Sequence, residues 1–461
     1  MEKEWRKESN VAEELERLGG EDRGEPTPLK RVISASVVGN IIEQYDFLLY
    51  GSMAALVFGQ LFFPSFSPLA ATLASFSTFA VGFVARPLGS IFCGHYGDKI
   101  GRKSMLVLTL SIAGASTFLM GLLPSFETIG IWAPIILVIL RFAQGFSFGG
   151  EYAGAVLMVA EYAAPERRGF LSGFVPAGSP VGLLLATLTV LLVSLLPGEQ
   201  FFAWGWRLPF LFSIVLVIVG LFIRLRILDT PAFRQVRETH TEARMPIVDV
   251  IRTNVDKVLM AAGISGGFTA LLYIVIVWFL SYGVGTLGLP RETLLVATLI
   301  GSAVQAVTLL GFSALSDRVG RRPVITGGAL ASAALAFPFF WLIETGSPGL
   351  IWLAYTLILV AGGAVYGPLA VMLAELFGTR LRYSGASIGY QLGATIGGGF
   401  SPLIATALVA WAGGASWAVA LFVLAVSIVA AVCTYLLAET VRSDMLVDPS
   451  ERGKLTAEGG S

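Results

Sequence analysis

The chain has 461 residues, 55% of them hydrophobic and only 13% charged, with a formal net charge of zero. A soluble domain carries about a quarter charged residues, so this balance excludes an ordinary water-soluble globule, and no basic excess points to nucleic acid. Two cysteines (Cys93, Cys433) and two histidines (His95, His240) provide no disulfide framework, metal site or catalytic constellation, so neither an enzyme nor a cofactor is expected.

Residues 1–30 are charged in both signs and lack the apolar core of a signal peptide, which predicts a solvated cytoplasmic tail. A succession of apolar runs follows. Leu208 to Ile223 reads LPFLFSIVLVIVGLFI, with Ser213 its only polar side chain. A helix needs about twenty apolar residues to cross hydrocarbon, and lipid cannot satisfy irregular backbone. The runs predict helices over 32–58, 69–93, 104–123, 131–158, 170–196 and 208–228, forming a first bundle, residues 31–228. A polar connector, 229–256, carries Arg234, Arg237, Glu238, Glu242 and Arg244. Further spans at 258–284, 293–315, 323–343, 350–375, 384–411 and 415–437 form a second bundle, 257–440, before a polar tail, 441–461. The expected class is an all-α membrane protein with twelve transmembrane helices in two pseudo-symmetric six-helix bundles.

Basic residues segregate by loop. With the N-terminus inside, Lys99, Arg102, Lys103, Arg167, Arg168, Arg318, Arg321, Arg322, Arg380 and Arg382 all fall on the cytoplasmic side. Only Arg207 and Arg291 fall on the other, while Arg86 and Arg141 lie within spans. One missed helix would scramble this pattern, so it supports both the count and cytoplasmic termini.

Two loop motifs repeat between the halves. Asp98-Lys99-Ile-Gly101-Arg102-Lys103 follows the second span, and Asp317-Arg318-Val-Gly320-Arg321-Arg322 follows the eighth. Glu161 with Arg168 after the fourth span is echoed by Glu375 with Arg382 after the tenth, and both continue to Ser-Gly. A loop acid can pair with a base or with a helix N-terminus, whose dipole favours negative charge. Asp98, Arg102, Asp317, Arg321, Glu161, Arg168, Glu375 and Arg382 are therefore predicted to form a cytoplasmic gate. Topology alone would explain the bases, but acids contribute little to topology.

On these paired loops the chain resembles the major facilitator superfamily. Within it, residues 30–440 are similar to the metabolite:proton symporter family, through Glu43-Gln-Tyr45-Asp46-Phe47, Arg86-Pro87-Leu88-Gly89, Arg141-Phe-Ala-Gln144-Gly145 continuing to Glu151, and Trp204 to Phe210. Gln44 departs from the family, where tryptophan is usual. The resemblance implies proton-coupled uptake of a small organic acid, shikimate-like or another carboxylate, by a monomer in the inner membrane, with H+ as coupling ion.

Charge inside the bilayer is costly, about 3 kcal/mol even on insertion scales, so ionisable residues there are candidates for function. They are Glu43, Asp46, Arg86, Arg141 and Glu151. Glu43 and Asp46 share a helix face and are expected to pair with Arg86 or Arg141 and to carry the proton, Asp46 foremost. An arginine stays charged and can exchange an internal carboxylate for that of a substrate. The displaced acid, uncompensated in low dielectric, then takes up a proton. Arg141, Arg86, Tyr45 and Gln144 are expected to bind substrate, with Tyr273, Trp278, Tyr390 and Gln391 from the second half. A permanent ion-pair network is the structural alternative for the charged group. A drug:proton antiporter of the same fold, or a solute sensor without flux, is the functional one. The glycines and prolines of Ser172–Gly182 and Ser384–Pro402 predict close helix contact and bending.

Overall fold

The computed structural model describes residues 29–100, 102–149, 151–227, 250, 252–378 and 381–441. The predicted N-terminal tail, most of the connector and the final tail lie outside the described residues, as do the side chains of Asp98, Arg102 and Glu151.

Every described regular element is helical. We label α1 Leu29–Met53, α2 Pro68–Ile100, α3 Arg102–Leu122, α4 Trp132–Ser147, α5 Glu151–Tyr162, α6 Arg168–Ser194 and α7 Arg207–Ile227. The second half contributes α8 Val255–Tyr273, α9 Arg291–Val319, α10 Arg321–Glu344, α11 Pro348–Leu376, α12 Arg382–Gly393 and α13 Trp417–Leu436. Among the described residues, nine helices are long and apolar enough to cross a membrane, and a pair bent by 42°, Gly198–Gly205 with Arg207–Ile223, makes a tenth. Two shorter apolar helices, Val107–Leu122 and Trp132–Ser147, stand where the third and fourth spans are predicted.

Helix α1 continues through a π-helical turn, Ala54–Phe58, and α8 through another, Ile274–Trp278. The two turns occupy matching places in the two halves and touch each other. Helix α12 likewise passes through a π-helical stretch, Ala394–Gly399. Such turns recur at functional sites because the extra residue re-aims the side chains that follow.

The fourth span departs from prediction. It is not continuous over 131–158 but breaks after Ser147 and resumes as α5 at Glu151. The cause is an unusually close crossing with α2. A Cβ on Gly89 would fall on the Phe146 carbonyl, one on Gly145 on the Gly82 carbonyl, and one on Gly149 on the Arg86 carbonyl. Glycine at these three positions lets backbone meet backbone.

Across the halves, α6 packs along α9, and α2 packs against α12 and its continuation. Helix α6 holds Pro176 and Pro180 within its length, and Gly178 and Gly182 lie against α1 at Val37, Asn40 and Ile41. Close helix contact is thus present where glycine and proline predict it.

Candidate functional site

Four buried ionisable side chains occupy the interior of the first half: Glu43, Asp46, Arg86 and Arg141. Arg141 is wholly buried. Its guanidinium carbon lies 4.0 Å from the ring centres of both Phe47 and Tyr50, and 5.0 Å from that of Phe79. Arg86 lies 4.0 Å from the Phe47 ring centre, 4.9 Å from Phe83 and 5.7 Å from Phe148. One phenyl ring, Phe47, therefore serves two arginines. Room for Arg141 comes from Gly82, where a Cβ would stand 2.8 Å from the Arg141 Cζ.

Hydrogen bonding leaves these cations unfinished. Arg141 donates through Nη1 to Gln144 Oε1, but among the described residues its Nε and Nη2 have no hydrogen-bond partner, and neither do Nε and Nη2 of Arg86. A desolvated cation–π contact is worth about 2 kcal/mol. Desolvating an ion costs several kcal/mol. Aromatic rings alone do not offset two buried like charges.

The expected ion pair between Asp46 and an arginine is not formed among the described residues. Asp46 is 1% exposed and points to α3, where its hydrogen-bond partner is Thr117, while its Oδ1 has none. The next residue on α1, Phe47, fills the gap between the arginines instead. Asp46 is linked to Arg141 indirectly. Gln144 Nε2 donates to Thr117 Oγ1 at 2.8 Å, and Gln144 Oε1 accepts from Arg141. Glu43 is buried on the same face of α1 and lies within electrostatic reach of Tyr273.

The second half closes over this cluster. Tyr273 packs edge-on to Phe79 and Phe83, with ring centres 5.5 and 5.1 Å apart, within electrostatic reach of both arginines. Tyr390 is hydrogen-bonded to Tyr366 and senses Tyr273 and Arg86. Gln391 Nε2 donates to the Gly149 carbonyl at 3.1 Å, across the halves, while its Oε1 has no hydrogen-bond partner among the described residues.

Three residues singled out in the sequence point elsewhere. The Tyr45 hydroxyl donates to the Pro209 carbonyl at 2.8 Å, facing α7. Trp278 stacks on Tyr282 at 4.8 Å and packs against Phe340, inside the second half. Both rings are taken up by packing between helices of their own half. Gln44 lies against α6, where a Cβ on Gly182 would meet its Cβ. Sequence reasoning missed Phe47, Tyr50, Phe79, Phe83 and Thr117. Phe47 and Tyr50 could have been found by helical spacing, each being four residues beyond an acid.

The predicted gate residues that are described do meet, at the end of the molecule carrying the basic loops. Asp317 accepts from the Gly169 and Phe170 amides at 2.8 Å each, capping the N-terminus of α6 from the other half. Arg321 binds Asp317 at 2.6 Å and Glu375 at 3.3 Å, and Arg168 lies 3.7 Å from Glu375. Arg382 pairs with Glu161 at 3.5 Å, again across the halves. A component absent from the predicted set is Glu439, beyond α13. Its carboxylate accepts from the Arg321 and Arg322 amides at 2.9 and 3.1 Å, capping α10, and Thr440 donates to Glu375 at 2.7 Å.

Two helical halves, charge locks between them and buried cations where they meet define a multi-pass membrane transporter rather than an enzyme. The model of the Major Facilitator Superfamily matches residues 47–389. The chain is 42% identical over 420 residues to the shikimate transporter of Escherichia coli (strain K12), covering 90% of this chain and 95% of that protein. It is 40% identical to the inner membrane metabolite transport protein YhjE of Escherichia coli (strain K12), covering 83% and 89%. It is 38% identical to the glycine betaine/proline/ectoine/pipecolic acid transporter OusA of Dickeya dadantii (strain 3937), covering 83% and 78%. Among solved structures it is similar to the partially occluded inward open conformation of the xylose transporter XylE from E. coli. That similarity has a TM-score of 0.71 at 16% identity and covers 90% of this chain and 99% of that one, which establishes the fold alone. This protein belongs to the major facilitator superfamily.

Proposed function

We propose that the protein imports a small organic acid, shikimate or a related carboxylate, together with a proton, by alternating access across the inner membrane. The observation that carries this reading is the pair of buried arginines sharing Phe47, with four guanidinium nitrogens that have no hydrogen-bond partner among the described residues. A carboxylate is planar and bidentate and suits such donors. The relative named as a shikimate transporter supports the substrate class.

In this reading Arg141 and Arg86 hold the substrate carboxylate, while Gln144, Tyr273, Tyr390 and Gln391 surround the rest. Asp46 is the proton carrier, with Glu43 as second acid. The Thr117 hydroxyl has one proton, to give either to Asp46 or to the Ala113 carbonyl 2.9 Å away. An ionised Asp46 draws it one way, and a protonated Asp46 releases it. Thr117 and Gln144 pass that change to Arg141, so proton and substrate are felt at one site. The bundles span 31–228 and 257–440, both termini and the basic end face the cytoplasm, and the protein works as a monomer.

The test is uptake into proteoliposomes under an imposed pH gradient, with shikimate, 2-oxoglutarate, other aromatic acids and betaine offered separately. Accumulation of one acid that collapses with the gradient is the expected result. Gradient-insensitive uptake, or no preference for an acid, overturns it. A zwitterion is the second reading, favoured by the 38% identical betaine and proline transporter, because its carboxylate would meet the same arginines. Voltage separates the two. A monoanion with one proton moves no net charge, whereas a zwitterion with one proton gains about 2.3 kcal/mol per 100 mV.

A further inference from the structure

Helix α6 is held at both ends by one helix of the other half. At its N-terminus the amides of Gly169 and Phe170 are capped by Asp317, near the C-terminal end of α9. At its C-terminus the carbonyl of Ser194, the last residue of α6, accepts from Arg291 Nη2 at 2.6 Å, and Arg291 begins α9. Arg291 also lies 4.4 Å from the ring centre of Phe201 and pairs with Glu292 at 3.0 Å. The last carbonyls of a helix lack backbone partners, and a cation there complements the negative end of the dipole. Acid meets N-terminus at one end and base meets C-terminus at the other. With 27 residues in α6, the two contacts are separated by about 40 Å at 1.5 Å per residue.

We propose that Arg291, through its bond to the Ser194 carbonyl, is the latch that holds the two halves together at the end opposite the basic loops. The inference rests on the alternating-access reading above, but not on the identity of substrate or proton site. Both ends are fastened in this structure. Opening towards one side separates Asp317 from Gly169 and Phe170, and opening towards the other separates Arg291 from Ser194. A donated bond left intact at one end holds the halves together there while the other end parts.

The experiment follows side-chain accessibility in the full-length protein with Cys93 and Cys433 replaced by serine. One reporter is Val277→Cys, since Val277 is buried and would contact a Cβ placed on Gly51 of the first half. The other is Ala374→Cys, since Ala374 is buried against Leu157 and Ala160 of the first half. Labelling by N-ethylmaleimide is timed without substrate. Arg291→Ala is expected to raise labelling at position 277 roughly tenfold and to lower it at position 374, as loss of one charged hydrogen bond implies. Asp317→Asn is expected to do the reverse. Arg291→Lys, which keeps a donor, restores most of the parent pattern, and Phe201→Leu shifts it weakly in the direction of Arg291→Ala. If Arg291→Ala leaves both rates within about twofold, or raises both together, Arg291 merely caps a helix and the latch is overturned. Opposite shifts together with failed uptake of every acid tested would leave the latch standing and remove the substrate reading. No response to either Arg291→Ala or Asp317→Asn removes the latch and alternating access together.

Discussion

Phe47 keeps two guanidinium groups apart and dry, and the proton carrier proposed beside it reaches them only through neighbours. Replacing Asp46 by Asn keeps the shape and removes the titration, so pH-driven accumulation is expected to disappear while substrate counterflow persists. Full accumulation by that variant would end the role given to Asp46. Thr117→Val is the finer test, because it conserves volume and deletes the hydroxyl that joins Asp46 to Gln144. Gradient-driven uptake should fall roughly tenfold, the scale of stranding a buried polar partner. Uptake at the parental rate would mean the link is not used. Arg86, Arg141 and Asp46 were legible in the sequence because an ionisable group in an apolar run stands out. Thr117 was not, because a hydroxyl bonding back along its own helix is ordinary there, and Phe47 stands out only by its spacing from Glu43. Tyr45 and Trp278 misled for the converse reason: an aromatic ring looks the same in sequence whether it lines a site or packs a helix pair.

Among elements, the crossing of α2 and α4 sets where Arg141 can stand. Gly82, Gly89, Gly145 and Gly149 bring the two backbones together, and the fourth span breaks directly after that crossing. Gly89→Ala places a methyl on the Phe146 carbonyl and should destabilise by about 1–3 kcal/mol, as overpacking does. Gly311→Ala on α9 points into open space and should leave thermal unfolding unchanged. Equal midpoints for the two variants in detergent would contradict the crossing. The all-helical class and the approximate bounds of the described spans were readable because a bilayer imposes length and apolarity on every span. The break at Phe148 was not, since residues 131–158 read as one long, mainly apolar run and the approach of α2 is not written in it.

At the scale of the molecule, the basic-loop end closes on Glu375, an acid shared between Arg321 of its own half and Arg168 of the other. Glu375→Gln leaves two cations facing a neutral amide, and losing one partner of a buried charge cluster costs about 3–5 kcal/mol. That end should open. Protease or labelling access to it is expected to rise, and unchanged access would show that Asp317 suffices alone. The paired motifs made this cluster visible in the sequence, while Glu439 and Thr440 lie beyond the last span, where they echo Asp229-Thr230 after the sixth. Their position has a consequence for biosynthesis. The ribosome makes α10 well before Glu439 exists, so the first amides of that helix wait uncapped until α13 has been inserted. The caps and ion pairs at this end are then completed by a late-made residue, and a half-finished chain in the translocon does without them.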